Sequence, residues 1–488
     1  MKGYREKSIK INMILNSFKG LLSVTFPLIT FPYVSRVLGV NGIGEYNFAN
    51  SVVSYFVLIA GLGISSYAVC SGAGCREDRQ KFSHFVNQIF SISMFSAIGA
   101  YVLLILSIIL IPKFHTYKSL LVILSLPILF KAVGIEWIYS IFEDYFFITI
   151  RSIIFQLISL VMLLVLVKNE EDVNIYALIT VLASVGASIS NFVHARKYCS
   201  IRFTLNIKWK KHLKPIMLFF ATAVTVTIYV SSDTTILGFI CDDYTVGIYS
   251  VSVKVYTILK SLLSSAIVVI IPRMCALWVN KCKNDFSKLG NNVYQTFLTV
   301  TLPAIVGMIL LSEEIVLLLA GVDYIEAKWS MRLLGIALFF CLGAGFWSQA
   351  VMIPQGKEAV VFKITVISAI SNIVLNMCLI PLLQEKAAAL TTVIAEAVVF
   401  IYCRQKGIKS VELKGIYRLL GIIIMGCIPM LLIKCGVSFF TENLVLKIVL
   451  IILLCILFYV KIEIYLKNHI IINIIDKIYL KFKKYIVH

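Results

Sequence analysis

Apolar runs about twenty residues long, separated by short polar turns, recur along almost the whole of this 488-residue chain. No soluble fold can bury that many. A helix needs ~20 apolar residues to cross the hydrocarbon of a bilayer, and runs of that length predict about 14 spans. The first six cover roughly 12–35, 46–69, 84–111, 119–141, 148–167 and 175–195. The next six cover roughly 215–240, 247–271, 291–311, 329–353, 359–381 and 387–404, and the last two roughly 416–435 and 444–463. Charged residues make up 14% of the chain, against about 25% in a soluble domain. The expected fold class is all-α and polytopic.

Lys and Arg set the expected orientation, because they accumulate in cytoplasmic loops. With the amino terminus inside, roughly 31 of the 45 basic residues fall on the inner side and about eight outside. The opposite turns are short and often acidic, as in Glu170-Glu171-Asp172 and Asp242-Asp243. Both termini are therefore expected in the cytoplasm. The formal charge of +20 reads as loops facing anionic lipid, not as a nucleic-acid surface.

One turn occurs twice. Leu38-Gly39, Gly44-Glu45-Tyr46 and Ala49 recur as Leu237-Gly238, Gly247-Ile248-Tyr249 and Ser252. Both copies lie in short polar turns, on the outer side, before spans two and eight. A parallel repeat about an axis along the membrane normal follows. The expected organisation is an amino-terminal six-helix bundle over 1–200, a basic cytoplasmic linker over 201–214 and a second six-helix bundle over 215–405. Two extra helices over 406–463 come next, then a basic amphipathic tail over 464–488 in which Ile471, Ile475, Ile478, Phe482 and Tyr485 share one face.

Ionisable residues at membrane depth are costly and usually face protein or a water-filled cavity. They are Lys19, Lys131, Glu136, Arg151, Asp233, Lys254, Lys260, Arg332, Lys363 and Glu396. The set is mainly cationic, which suits an anionic cargo in a central cavity between the two bundles. Lys131, Arg151, Lys260 and Lys363 either line such a cavity or snorkel to an interface. Asp233 and Lys254 are alternatively a pair holding span seven to span eight. Lys19 lies on a helix that also carries Pro27 and Pro32, so that helix can bend. Lys19 and Lys254, facing each other from the two halves, are the expected anion contacts. Arg151 and Arg332 come next, joined by Arg36 in the first turn. Asp233 and Glu396 are the candidates for a coupled ion. Asn12, Asn16, Gln88, Asn372 and Asn376 either contact cargo or bond neighbouring helices.

Enzyme chemistry finds little footing. No Gly-x4-Gly-Lys-Ser/Thr segment exists. No outer loop much exceeds ~15 residues, and the longest inner one is about twenty, too short for a catalytic domain. The 12 cysteines show no close-paired spacing and read as small apolar fillers, with no metal or cofactor expected.

Four places carry a family resemblance. The first is Arg36-Val-Leu-Gly, Gly42-Ile-Gly-Glu-Tyr and Phe48-Ala49-Asn50-Ser51, closing with Gly61-Leu-Gly-Ile and Tyr67-Ala68. The second is Glu136-Trp137 through Glu143 to Thr149 and Arg151, where the family usually has Gly at Ile141 or Phe142. The third is Asp233, Leu237-Gly238, Val246-Gly247-Ile248-Tyr249 and Lys254. The fourth is Asn372, Leu375-Asn376, Leu379-Ile380-Pro381, Ala387-Ala388, Thr391-Thr392 and Glu396. The ordered set, over residues 10 to about 400, resembles Wzx-type polysaccharide flippases of the multidrug/oligosaccharidyl-lipid/polysaccharide exporter superfamily. Cys70 and Gly72 depart from its usual Arg after span two, and Gln384-Glu385-Lys386 from its usual Gly-rich turn.

The resemblance implies two six-helix bundles around a cavity, plus two helices. It implies export of undecaprenyl-diphosphate-linked oligosaccharide units across the bacterial plasma membrane, for O-antigen or capsule. A polysaccharide polymerase and a chain-length regulator are the implied partners, besides membrane lipid. The superfamily also holds drug and organic-cation exporters, whose cargo would call for an apolar or acidic cavity.

Overall fold

The computed structural model describes the backbone of residues 9–473 and 476, with side chains from Gly20 onward apart from 21, 23, 24 and 266. The expected tail helix, from Ile475 on, lies outside the described residues, as do the side chains of Asn12, Asn16 and Lys19.

Helices account for all the regular structure among the described residues. The first ten are α1 (Ile9–Gly61), α2 (Ile64–Gly72), α3 (Arg79–Leu110), α4 (Pro112–Thr116), α5 (Lys118–Val133), α6 (Glu136–Ile141), α7 (Tyr145–Leu166), α8 (Val173–Ala195), α9 (Trp209–Ile240) and α10 (Asp243–Val268). Then follow α11 (Ile271–Val279), α12 (Lys283–Leu310), α13 (Ser312–Leu319), α14 (Ala327–Gly345), α15 (Glu358–Gly407), α16 (Ile416–Phe440) and α17 (Leu444–Tyr465).

Eleven stretches of the described residues are long and apolar enough to cross a membrane. Two of them, Thr25–Cys75 and Glu358–Ser410, have double length and fold back at Gly39 and Gln384, so each supplies two crossings. The 16-residue α5, continued by α6, is the fourteenth. The expected all-α polytopic fold is therefore present. Its polarity is that of a membrane protein. Large apolar residues such as Ile105, Ile109 and Leu110 of α3 face outward, while Gln88, Asn191, Asp233, Asn376 and Glu396 are buried.

The two double-length helices break differently. Gly39 has φ 65 and ψ −178, a region essentially reserved for glycine. The stretch Arg36–Ala49, expected to be a polar turn, is helical on both sides of that one residue. Gln384 has φ 49 and ψ −127 without being glycine. Such strain costs about 1–3 kcal/mol. Gln384→Gly should therefore raise the thermal unfolding midpoint in detergent by the equivalent of about 1 kcal/mol, once glycine's greater unfolded-state entropy is deducted. Gly39→Ala should lower it.

By internal contact the chain forms two units, Met1–Ser250 and Val251–His488. Each contains the same connector device. In the first, the amides of Ser200, Arg202 and Thr204 donate to Ser83 Oγ, Asn87 Oδ1 and Ser91 Oγ of α3, at 3.1, 2.8 and 2.8 Å. In the second, Glu412 and Lys414 amides donate to Ser287 Oγ and Asn291 Oδ1 of α12, at 2.8 and 3.2 Å. Gln295, one turn further on, donates to the Lys414 carbonyl at 2.6 Å. Ser83-Asn87-Ser91 and Ser287-Asn291-Gln295 share a spacing of four, which puts each trio on one helix face.

Candidate functional site

The first unit holds two hollows of about 540 and 830 Å³. They share Val57, Gly61, Ser65, Pro127, Lys131 and Ser184, so they form one continuous cavity. It runs from Tyr46 and Asn50 on α1 to Cys70 on α2 and Ser140 on α6. Its helices are apolar toward lipid and small or hydroxylated toward the cavity, with Ser54, Ser65, Thr180 and Thr227 on the wall.

Span four is interrupted where it lines this cavity. α5 stops at Val133, Ile135 takes φ 22, and α6 starts at Glu136. Non-helical backbone at membrane depth is tolerated where it is buried in protein or lines a cavity. Asn191 of α8 satisfies the break by donating its Nδ2 to the Gly134 carbonyl at 2.7 Å. The Asn191 side-chain oxygen accepts from Arg151 Nη1 of α7. Arg151 also donates to the Ala187 carbonyl at 3.3 Å and lies 3.7 Å from Glu136 Oε2. Its Nε is buried without a hydrogen-bond partner. Arg151 and Glu136 thus balance each other's charge, and Arg151 is a positioned, not a mobile, cation.

Lys131 is different. It is exposed, lines both hollows, and forms no ion pair among the described residues. Gly61 gives its stem room: a Cβ there would sit 3.3 Å from Lys131 Cε. The cavity therefore carries one uncompensated ammonium beside a neutralised Arg–Glu pair.

Beyond Tyr46, toward the end that bears Glu170 and Asp243, the two copies of the repeated turn close on each other. A Cβ on Gly44 would lie 1.8 Å from the Asp243 carbonyl oxygen, and one on Gly247 would lie 2.1 Å from that of Val40. Val40 and Asp243 each stand four residues before the glycine of their own copy. The contact is thus reciprocal between the two copies of the turn. Gly238 does not kink its helix as Gly39 does; it makes room for the Phe48 ring, 2.0 Å from the position its Cβ would take. Phe48 packs edge-on against Tyr117 and Phe239 at 4.8 and 5.4 Å. Further along α1, Ser54 donates to Ser231 at 3.2 Å, Tyr55 and Thr235 hydroxyls lie 3.1 Å apart, and Thr235 donates to Ser51 at 2.9 Å. These contacts form a close-packed seal at the Tyr46 end of the cavity.

Of the residues singled out in sequence, Arg151 lines the cavity. Arg36 is exposed and donates to the Pro32 carbonyl at 2.6 Å. Asp233 is buried on α9 and accepts from Tyr249 at 3.0 Å. Lys254 lies on α10 in the second unit. Arg332 of α14 donates Nε to Ser312 at 2.9 Å and stacks 4.7 Å over Trp329. Glu396 is buried, 3.7 Å from Lys260 and 3.2 Å from the Tyr256 hydroxyl. Asn376 donates to Asn372 at 3.1 Å and accepts from Thr391 at 2.5 Å, so this polar set bonds within α15. Gln88 links His84 and His212 at 2.7 Å each. The seal and the connector ladders were not read from sequence. The ladders carried a signal, a Ser-x3-Asn-x3 spacing on one helix face in each half.

Residues 9–278, more than half of the chain, match the family described as polysaccharide biosynthesis protein. The chain belongs to that family. The capsular polysaccharide biosynthesis protein CapF of Staphylococcus aureus is 24% identical over 371 residues, covering 74% of this chain and 89% of CapF. A relative named "Putative O-antigen transporter" in Escherichia coli (strain K12) is 21% identical over 400 residues, covering 80% and 95%. Among solved structures, the lipid II flippase MurJ in an inward closed conformation has a TM-score of 0.72 at 19% identity, covering 94% of this chain and 99% of MurJ. An inward-facing multidrug resistance MATE family transporter of the MOP superfamily has a TM-score of 0.57 at 11% identity, covering 81% and 98%. The family member described here thus shares their fold, and the resemblance drawn from the sequence to Wzx-type flippases of that superfamily holds.

Proposed function

We propose that this chain is a flippase that moves a lipid-linked oligosaccharide, joined through diphosphate to undecaprenol, from the cytoplasmic to the outer face of the bacterial plasma membrane for surface polysaccharide. The observation that carries the reading is the cavity of the first unit, hydroxyl-lined and holding the unpaired Lys131. A sugar chain and a diphosphate cannot cross ~30 Å of hydrocarbon unaided. The isoprenoid tail stays in the bilayer while the polar head passes the hydroxyls, and a lysine holds phosphate as a point charge. Family membership and the names of the relatives support the same cargo class.

Lys19 and Lys254 are proposed as further diphosphate contacts, with Arg332 and Arg36 behind them, and Asp233 or Glu396 as a coupled-ion site. Both termini are proposed to be cytoplasmic, with the basic stretch 201–214 joining two six-helix bundles. Two anionic charges moving outward gain about 5 kcal/mol per 100 mV, so the membrane potential suffices as a drive. The polymerase and the chain-length regulator take over at the outer face.

Deleting the gene should cause complete, unpolymerised lipid-linked units to accumulate while surface polymer falls. Complementation with Lys131→Ala should restore polymer to about a tenth of the parent level, and Lys131→Glu to none, since reversing a charge in a cavity costs more than removing it. Unchanged lipid-linked units, with new sensitivity to cationic drugs, would replace this reading with the organic-cation exporter.

A further inference from the structure

A hollow of about 890 Å³ lies where α3 begins and α8 ends, and it shares no lining residue with the cavity described above. Its wall includes Arg79, Ser83, His84 and Asn87 of α3, and Arg196 and Ser200 beyond α8. No carboxylate lines it. Asp78, next to Arg79, is turned to capping α3: it accepts from the Gln80 and Lys81 amides at 3.0 and 3.1 Å and lies 3.4 Å from the Lys81 ammonium. Arg79 and Arg196 are exposed and form no ion pair among the described residues. Arg196 lies 5.6 Å over the Phe192 ring.

The polar groups of the wall are left facing the hollow as donors. The connector amides of Ser200 and Arg202 occupy Ser83 Oγ and Asn87 Oδ1 as acceptors. The Ser83 hydroxyl proton and the Asn87 Nδ2 amide remain for the hollow. His84 is set in the same sense. His212 Nε2 donates to Gln88 Oε1 at 2.7 Å, so the Gln88 amide nitrogen, 2.7 Å from His84 Nε2, donates there. The His84 proton then sits on Nδ1, a further donor. Two guanidinium groups and three neutral donors therefore border the hollow, with no carboxylate to oppose an anion.

Depth points to the source of that anion. The 32 residues of α3 span about 48 Å, against ~30 Å of hydrocarbon. Its exposed large apolar side chains begin at Phe95 and run to Leu110. The exposed rings of Phe203 and Trp209 pack on Phe95 at 5.6 and 6.0 Å, as aromatic residues do at a membrane–water boundary. Residues 79–87 stand on the polar side of that boundary, at headgroup depth.

We propose that this hollow binds the phosphate of an anionic phospholipid headgroup, from the leaflet that the basic connectors face, with Arg79 and Arg196 as its charged contacts. The planar guanidinium fork matches phosphate oxygens. A phosphate held there joins the start of α3 to the end of α8, and its acyl chains run beside Phe95 and Phe203. The second ladder lacks this charge pattern. Its connector carries Glu412, whose amide bonds Ser287 as that of Ser200 bonds Ser83, and whose carboxylate lies 3.2 Å from Lys414. The ladder is common to both units; the carboxylate-free hollow belongs to the first.

Native mass spectrometry of the full chain, released from micelles holding equal amounts of phosphatidylglycerol and phosphatidylcholine, reads the lipid retained. The parent should keep phosphatidylglycerol in preference. Arg79→Gln and Arg196→Gln should each weaken that binding about fivefold. Lys283→Gln, which removes the exposed cation that opens α12 beside the second ladder, should change nothing. A parent without preference, arginine variants that bind as the parent does, or an equal loss in Lys283→Gln would overturn the proposal. Displacement of the lipid by excess inorganic phosphate would assign the arginines to a soluble phosphate and overturn the headgroup. Melting curves in lipid-free detergent check that the variants fold, as exposed, unpaired positions should allow. The readout needs no cargo, so it holds or fails independently of the export proposed above.

Discussion

Gly44→Ala should reduce surface polymer more than tenfold while leaving the protein in the membrane at normal abundance. The methyl group would stand 1.8 Å from the Asp243 carbonyl oxygen, and Gly247→Ala would place one 2.1 Å from that of Val40. Both obstacles are main chain, which cannot rotate aside as a side chain can. The helices must part by more than 1 Å to reach van der Waals distance. Overpacking in a well-packed core costs about 1–3 kcal/mol. At the upper figure, a transporter that must shut this end once per cycle would have its shut state depopulated on the order of a hundredfold. The two substitutions act on one contact, so combining them should add little. Gly99→Ala and Gly436→Ala are the controls. Nothing lies within 4 Å of where those methyls would go, and both should export normally. Surface polymer quantified against immunoblotted protein separates the two pairs.

Glu314→Ala should be among the most destabilising single changes in the second unit. Glu314 of α13 is buried and holds two ammonium groups, Lys434 of α16 at 3.1 Å and Lys447 of α17 at 3.4 Å. Lys434 also donates to the Leu310 carbonyl at 2.5 Å. This one carboxylate ties both terminal helices to α13. Removing it leaves two partly buried cations facing each other. Breaking a buried pair costs about 3–5 kcal/mol, and the remaining exposure of the lysines argues for the lower end. Lys447→Met leaves a neutral Glu314–Lys434 pair and should cost clearly less. Thermal unfolding of both variants in nanodiscs decides the point. Equal losses would mean that packing, not charge, holds the terminal helices.

Much of this architecture was legible because apolar length is a strong signal. The fourteen crossings follow from it, and the Leu-Gly…Gly-x-Tyr echo marked two turns that meet. What the echo is for was not legible. Gly39 and Gly238 look alike in sequence, yet one breaks a helix through its dihedral angles and the other admits the ring of Phe48. The reciprocity of Gly44 and Gly247 depends on two segments two hundred residues apart meeting at backbone distance, which no local pattern encodes. Among the charges, type and depth were readable but pairing was not. Lys260 proved to pair with Glu396, and Arg151 with Glu136 and Asn191. Lys131, equally consistent with snorkelling, lines the cavity. Gln384 could be seen to replace a Gly-rich turn, but that it alone carries the fold-back of α15 rests on its φ.

The connectors that follow α8 and α15 look in sequence like the freest parts of the chain, polar and without periodicity. Their alternate amides are nevertheless captured by side chains one helical turn apart on α3 and α12. Adding or deleting one residue there would turn every later amide away from its acceptor and forfeit about 1 kcal/mol per bond. Natural relatives should accordingly vary in the composition of these two stretches far more freely than in their length, and a tag or a second domain inserted at either would be tolerated worse than one placed in a turn without such bonds.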